Sequence, residues 1–173
     1  MRRVYSVIFP ILFLLAAPAV IAQGSLKIGH VNAAEVLEML PVTDSVNTVL
    51  QNEADELQIE LQNMQTDYNN TLKAFQDNSA SWSQLVRDTK QSEIIDKQSR
   101  IQRFNQSAND QLQRRNAELF QPIYDRIQKA IDEVSVEGKF TYILDIGSGA
   151  VLFTSESSQN IQPLVLKKLG VNQ

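Results

Sequence analysis

Leu50-Gln51-Asn52-Glu53-Ala54-Asp55-Glu56-Leu57-Gln58-Ile59-Glu60-Leu61-Gln62-Asn63-Met64-Gln65-Thr66-Asp67-Tyr68 decides the architecture of this chain. Leu50, Ala54, Leu57, Leu61, Met64 and Tyr68 recur at intervals of 4, 3, 4, 3 and 4, and Leu72 and Phe75 follow at 4 and 3. Alternating threes and fours make the 3.5-residue repeat that holds an apolar stripe against a partner helix. Almost everything between these positions is polar, so one stripe faces one partner.

The partner follows in the same chain. Gln76-Asp77-Asn78-Ser79-Ala80-Ser81 is polar and weak in helix propensity, and reads as a turn. Periodicity resumes at Leu85, Ile94, Ile101, Phe104, Ala108 and Leu112, and runs on through Leu119, Ile123, Ile127, Ala130 and Val134 to stop near Gly138. The pattern predicts a long antiparallel helical hairpin over 33–136 with its tip near 77–84. At 1.5 Å per residue the outgoing arm from Asp44 is about 50 Å long and the returning arm about 80 Å. Including Ala33 to Leu40 brings the two close to equal length and sets Leu37 and Leu40 opposite Ile123 and Ile127. Asn32 is placed to cap that first piece, Pro41 to interrupt it, and Thr43 or Asp44 to cap a second start. Pro122 removes a helical hydrogen bond to Glu118 and predicts a bend in the returning arm.

Charge supports the pairing. From Asp44 to Leu72 the outgoing arm carries Asp44, Glu53, Asp55, Glu56, Glu60 and Asp67 and no basic residue. The return carries Arg87, Lys90, Lys97, Arg100, Arg103, Arg114, Arg115, Arg126 and Lys129. Opposite charges beside a seam select partner and direction. Folding about residue 80 sets Glu60 near Arg100 and Glu56 near Arg103.

Outside the arm the period changes to two. Leu26 to Val31 reads as one short strand. Tyr142, Leu144 and Ile146 alternate with Ile143 and Asp145, Gly147-Ser148-Gly149 makes a turn, and Ala150 to Thr154 reads as a returning strand. Pro163 to Leu169 reads as a short helix ended by Gly170, with Asn160 available as a cap. Residues 26–32 and 139–173 therefore form a small antiparallel β-body with a terminal helix. Three short strands are marginal alone. Association of copies through Ile28, His30, Tyr142, Leu144, Ile146, Val151 and Phe153 would cover their apolar face and close the edges.

At the N-terminus, Arg2 and Arg3 precede an apolar run from Val4 to Val20, and Val20-Ile21-Ala22 offers small residues for cleavage. These are the marks of a secretory signal peptide at 1–22, cut after Ala22. The other reading is a retained anchor, which Pro10, Pro18 and the adjacent small-residue site disfavour. The remaining residues 23–173 form one domain with 14 basic against 20 acidic side chains, a net charge of −6. That balance argues against nucleic acid as a partner. The chain has no cysteine and one histidine, so thiol chemistry and the usual zinc ligand sets are excluded. No nucleophile, base and pocket can be assembled, no cofactor motif occurs, and the chain does not read as an enzyme. The residues that invite a function are apolar ones in excess of what a thin hairpin needs: Met64, Tyr68, Leu72, Phe75, Trp82 and Leu85; the other reading of Phe75 and Trp82 is that they pack across the turn and pin it.

This layout resembles the Skp/OmpH family of periplasmic chaperones. The resemblance is carried by Lys27-Ile28-Gly29-His30-Val31-Asn32, the break at Leu40-Pro41, Leu119-Phe120-Gln121-Pro122-Ile123 with Ile127-Gln128-Lys129-Ala130-Ile131, and Tyr142-Ile143-Leu144-Asp145 before Val151-Leu152-Phe153. It implies a homotrimer whose strands join in a central body and whose arms enclose unfolded outer-membrane proteins without ATP. Well-known members carry basic arms that also attract lipopolysaccharide; the acidic balance here leaves lipopolysaccharide and membrane-surface binding open. A coiled-coil adaptor docking on one defined envelope partner is the alternative reading.

Overall fold

The computed structural model describes residues 26–171; the signal-peptide reading of residues 1–22 lies outside them. Strand β1 (Ile28–Val31) leads into α1 (Ala33–Glu38) and α2 (Pro41–Asn78). A 3₁₀ turn over Ser79–Ser81 joins α2 to α3 (Gln84–Glu137). Then come β2 (Tyr142–Asp145), β3 (Gln159–Asn160) and α4 (Gln162–Leu169). At 38 and 54 residues, α2 and α3 are about 57 and 81 Å long. They are the two limbs of the expected hairpin, with α1 making up the shorter side.

The predicted caps are partly as expected. Asn32 Oδ1 accepts from Glu35 N at 3.2 Å and starts α1. Ser83 Oγ accepts from Val86 N and starts α3. At the second start neither Thr43 nor Asp44 is the cap: Leu40 holds that position in extended conformation and Pro41 opens the helix. Proline suits a first turn because the N–H it lacks would be unpaired there, so Pro41 stands at the expected break after α1 and also opens α2. Thr43 is buried inside, its Oγ1 donating to Leu37 O at 2.6 Å and tying α2 back to α1. The assigned helix α3 runs on through Pro122.

Strand direction corrects the sequence reading. β1 is the central strand, in the order β2-β1-β3, and both neighbours are parallel to it. The antiparallel hairpin expected between 142–146 and 150–154 does not form; residues 151–154 are not in a strand. Ile146 lies beyond the end of β2, its N–H donating to Val31 O at 2.9 Å. The turn is shaped by Asp145, whose Oδ1 accepts from both Gly147 N and Ala33 N. Alternation predicts a strand but names no partner for it. In the structure β1 pairs on both edges, with β2 on one side and β3 on the other, in place of the local hairpin.

The buried core sits where this sheet meets the base of the arm. Val31, Val36, Leu40 and Val46 pack there with Phe120, Ile123, Ile127, Ala130 and Val134 of α3, and with Ile161, Val165, Leu166 and Leu169 around α4. Gly29 allows the close approach: a Cβ there would stand 2.8 Å from Ile143 Cδ1 and 3.1 Å from Ile161 Cγ2. Gly170 ends α4 at φ 84°, in the left-handed conformation expected of a helix stop. Arg126 donates to Leu169 O at 2.8 Å and pins that end to α3.

Candidate functional site

Two surfaces carry the residues singled out in the sequence. The first is the arm beyond the core. No residue between 47 and 119 is buried; seam positions Leu57, Leu61, Met64, Tyr68, Leu72 and Phe75 are half-buried, as are Ile101, Phe104, Ala108 and Leu112 opposite them. Two helices cover only one side of each seam residue, so the other side meets solvent. At the tip Phe75 and Trp82 stack edge to face, with ring centroids 6.0 Å apart. Arg87 fixes the turn by donating to Trp82 O at 2.9 Å and to Ser79 O at 3.3 Å. Leu85 then projects from the first turn of α3 with 77% of its surface exposed. Of the six predicted contact residues, four therefore line the seam, Trp82 pins the tip, and Leu85 stands free. Ile59 and Ile95 are also exposed. They were missed because they fall off the 3.5-residue repeat, and a search for apolar residues outside that repeat would have found them.

The charges beside the seam hold the arms in a different register from that expected. Arg115 Nε reaches Glu53 at 2.9 Å, and Lys97 Nζ reaches Asp67. The midpoints of these pairs are residues 84 and 82, not 80, because the 3₁₀ turn and the Ser83 cap extend the loop. Glu60 and Arg100 border the same groove over Met64 and Ile101, while Glu56 borders Arg114 rather than Arg103. Each bridging cation takes a second carboxylate from its own helix, Glu118 for Arg115 and Glu93 for Lys97. Asp67 raises the pKa of the Lys97 ammonium, and Lys90 with Lys97 lowers that of Glu93.

The second surface is the sheet. Gly29 and Val31 point into the core, so Ile28 and His30 point out, and the register sets Ile28 beside Tyr142 and His30 beside Leu144. Phe153, 82% exposed, lines an open cleft of about 260 Å³ with Leu26, Ile28 and Leu144. Val151 and Ile146 are half-buried in the loop that follows β2. Leu152, 94% exposed, was not singled out by the sequence. His30 Nδ1 lies 2.8 Å from Ser158 Oγ. The opposite face is covered by the base of α3 and by α4; among the described residues this one meets only the loop that carries Phe153 and Ser158. Among the described residues no helix is long and apolar enough to cross a membrane.

Comparison with known proteins gives the same picture from outside. Residues 27–169 match the model of a family described as outer membrane protein, OmpH-like. The chain is 32% identical over 148 residues to the chaperone protein Skp of Photorhabdus luminescens, covering 86% of this chain and 88% of that one. It is 25% identical over 155 residues to Skp of Yersinia enterocolitica, covering 90% and 93%. A crystal structure from Caulobacter crescentus CB15, described as OmpH-like, superposes with a TM-score of 0.71 at 17% identity, covering 83% of each chain.

Proposed function

This chain belongs to the OmpH-like outer membrane protein family, and from that premise we propose that it is a periplasmic, ATP-independent holdase. It binds unfolded outer-membrane proteins and keeps them from aggregating. On this reading residues 1–22 are an export signal cleaved after Ala22. The relatives named as chaperones span the same length.

The observation that carries the reading is the arm's half-covered seam. An unfolded barrel strand presents a strip of apolar side chains on alternate positions, flanked by polar ones. Met64, Tyr68, Leu72 and Phe75 offer a matching strip, apolar in the middle and bordered by Gln, Asn and charge. Leu85 and Trp82 extend it around the tip. Each contact is small and none is a pocket, which suits many clients held weakly at many points. Met64 adds a side chain that adapts its shape to different partners.

The sheet supports assembly of several copies, three by family resemblance. Parallel sheets occur almost only with both faces covered, yet here Ile28, Tyr142, Leu144 and Phe153 are left on an open face. The free edges of β2 and β3, and the segment 151–154, which belongs to no strand, are what a neighbouring copy would complete.

The test is dilution of a urea-unfolded outer-membrane barrel into buffer with and without the mature protein, followed by light scattering. Scattering is expected to be suppressed at molar excess, and less so for Leu85→Ser with Trp82→Ser. Undiminished aggregation at excess protein overturns the proposal.

A further inference from the structure

We propose that His30, set among Ile28, Tyr142 and Leu144 on the uncovered face of the sheet, makes association of the chains pH-dependent, so that the assembly comes apart as the imidazole takes up a proton. The inference rests on the assembly reading above and adds to it a regulated step.

His30 is the only histidine in the chain, and it stands at the centre of the surface that a second copy would cover. Its side chain has apolar neighbours along β1 and across to β2, while across to β3 it stands beside Asn160, whose Oδ1 is taken by Gln162 N; its own hydrogen-bond partner is Ser158 through Nδ1. A serine hydroxyl can donate to a neutral ring nitrogen or accept from a protonated one, so this contact survives either charge state. Among the described residues the other nitrogen has no such partner. In the imidazolium it must carry an N–H and a share of the charge, both of which need water while the face is open. Association would strip that water away, and burying an unpaired charge is strongly unfavourable.

Among the described residues no carboxylate pairs with His30 to relieve this. Among the described residues, the charged side chains on the strands and adjoining loops around His30 are Lys27, Lys139, Asp145 and Glu156. Lys27 Nζ donates to Gly138 O at 2.7 Å and lies 4.1 Å over the Phe140 ring. Asp145 Oδ1 is held by the Ala33 and Gly147 amides. Glu156 sits in the loop preceding Ser158, and the polar contact His30 makes with that loop is to Ser158. The sign is therefore fixed: the neutral form favours assembly and protonation opposes it. Histidine changes charge between about pH 5 and 8.

The experiment measures the oligomeric state of the full mature protein at pH 7.5 and pH 5.5, at constant ionic strength, by sedimentation equilibrium. His30→Leu and His30→Gln are measured beside it, with far-UV circular dichroism at each pH. For the unsubstituted protein the association constant is expected to fall by about tenfold or more at the lower pH, with helical signal retained. Both variants should stay associated, changing by less than about twofold; His30→Gln keeps a polar side chain there if His30→Leu does not fold. An equal acid loss in both variants, or loss of helical signal with dissociation, overturns the proposal, because acid then acts on other groups. Absence of association already at pH 7.5 overturns the assembly reading and this inference with it, while client protection by the monomer would still be measurable.

Discussion

The base of the arm and its outer stretch are written in the same 3.5-residue repeat but live in different surroundings. Ile123, Ile127, Ala130 and Val134 are buried because α1, the sheet and α4 close over them as a third and fourth layer. Leu57, Leu61, Ile101 and Phe104 sit at equivalent positions and stay half-exposed, because only one helix faces them. An apolar stripe therefore has no fixed meaning of its own. Where other elements cover it, it becomes core and holds the fold; where they do not, it becomes surface and can hold something else.

The widest separation between the two regions is expected from matched truncations. Leu166→Ala, at a fully buried position, should cost roughly 2–5 kcal/mol through lost burial and the cavity it leaves. Leu61→Ala, half-buried in the arm, should cost about 1 kcal/mol or less. Urea unfolding of the two variants measures the difference, and equal losses would break the comparison, since the arm would then be covered as well as the base.

Lys139 sharpens the comparison at the point where the arm joins the body. It holds φ 52° directly after α3, a conformation that suits glycine, while Gly138 before it is right-handed. The geometry closes the helix through Phe140 N donating to Ser135 O at 3.0 Å. Lys139→Gly should relieve the strain and stabilise the protein by about 1 kcal/mol, seen as a higher urea midpoint. A lower midpoint would mean that the lysine side chain contributes more than its backbone costs.

The smallest effect is expected in the outer arm, at its ion pairs. Lys97→Met removes contacts to Asp67 and Glu93, both at the surface, and should change stability by about 0–1 kcal/mol, less in high salt. The pH dependence has a definite sign. Glu93 is held below its ordinary value of 4.5 by Lys90 and Lys97, so its contribution is present above about pH 4.5 and fades as the pH falls further. Lys97→Met should weaken that acid dependence, and an effect well above 1 kcal/mol would show the arm to be more tightly organised than its exposure suggests.

Much of this was legible in the residues. The seam positions, the tip, the Asn32 cap, the Gly170 stop and the outward-facing Ile28, His30, Tyr142 and Leu144 follow from spacing, since helix and strand periods act over a few residues. The freestanding character of Leu85 was legible only in part, because Trp82 beside it proved to be pinned against Phe75. Ile59, Ile95 and Leu152 were not legible, because exposure depends on what else comes near.

By itself the sequence determined that two long helices pair about a polar tip and that a short β-unit adjoins them. Those features depend on local propensity and on the spacing of apolar residues. Only the tertiary structure decided that the strands run parallel on either side of β1, that the arms meet in the Glu53–Arg115 and Asp67–Lys97 register, and that Leu40 with Pro41 starts α2. Each of these is the outcome of a competition among distant partners, for a strand edge, a charge or a place in the core. Such a competition is settled by which arrangement buries and pairs most, and no local stretch of chain contains all the competitors.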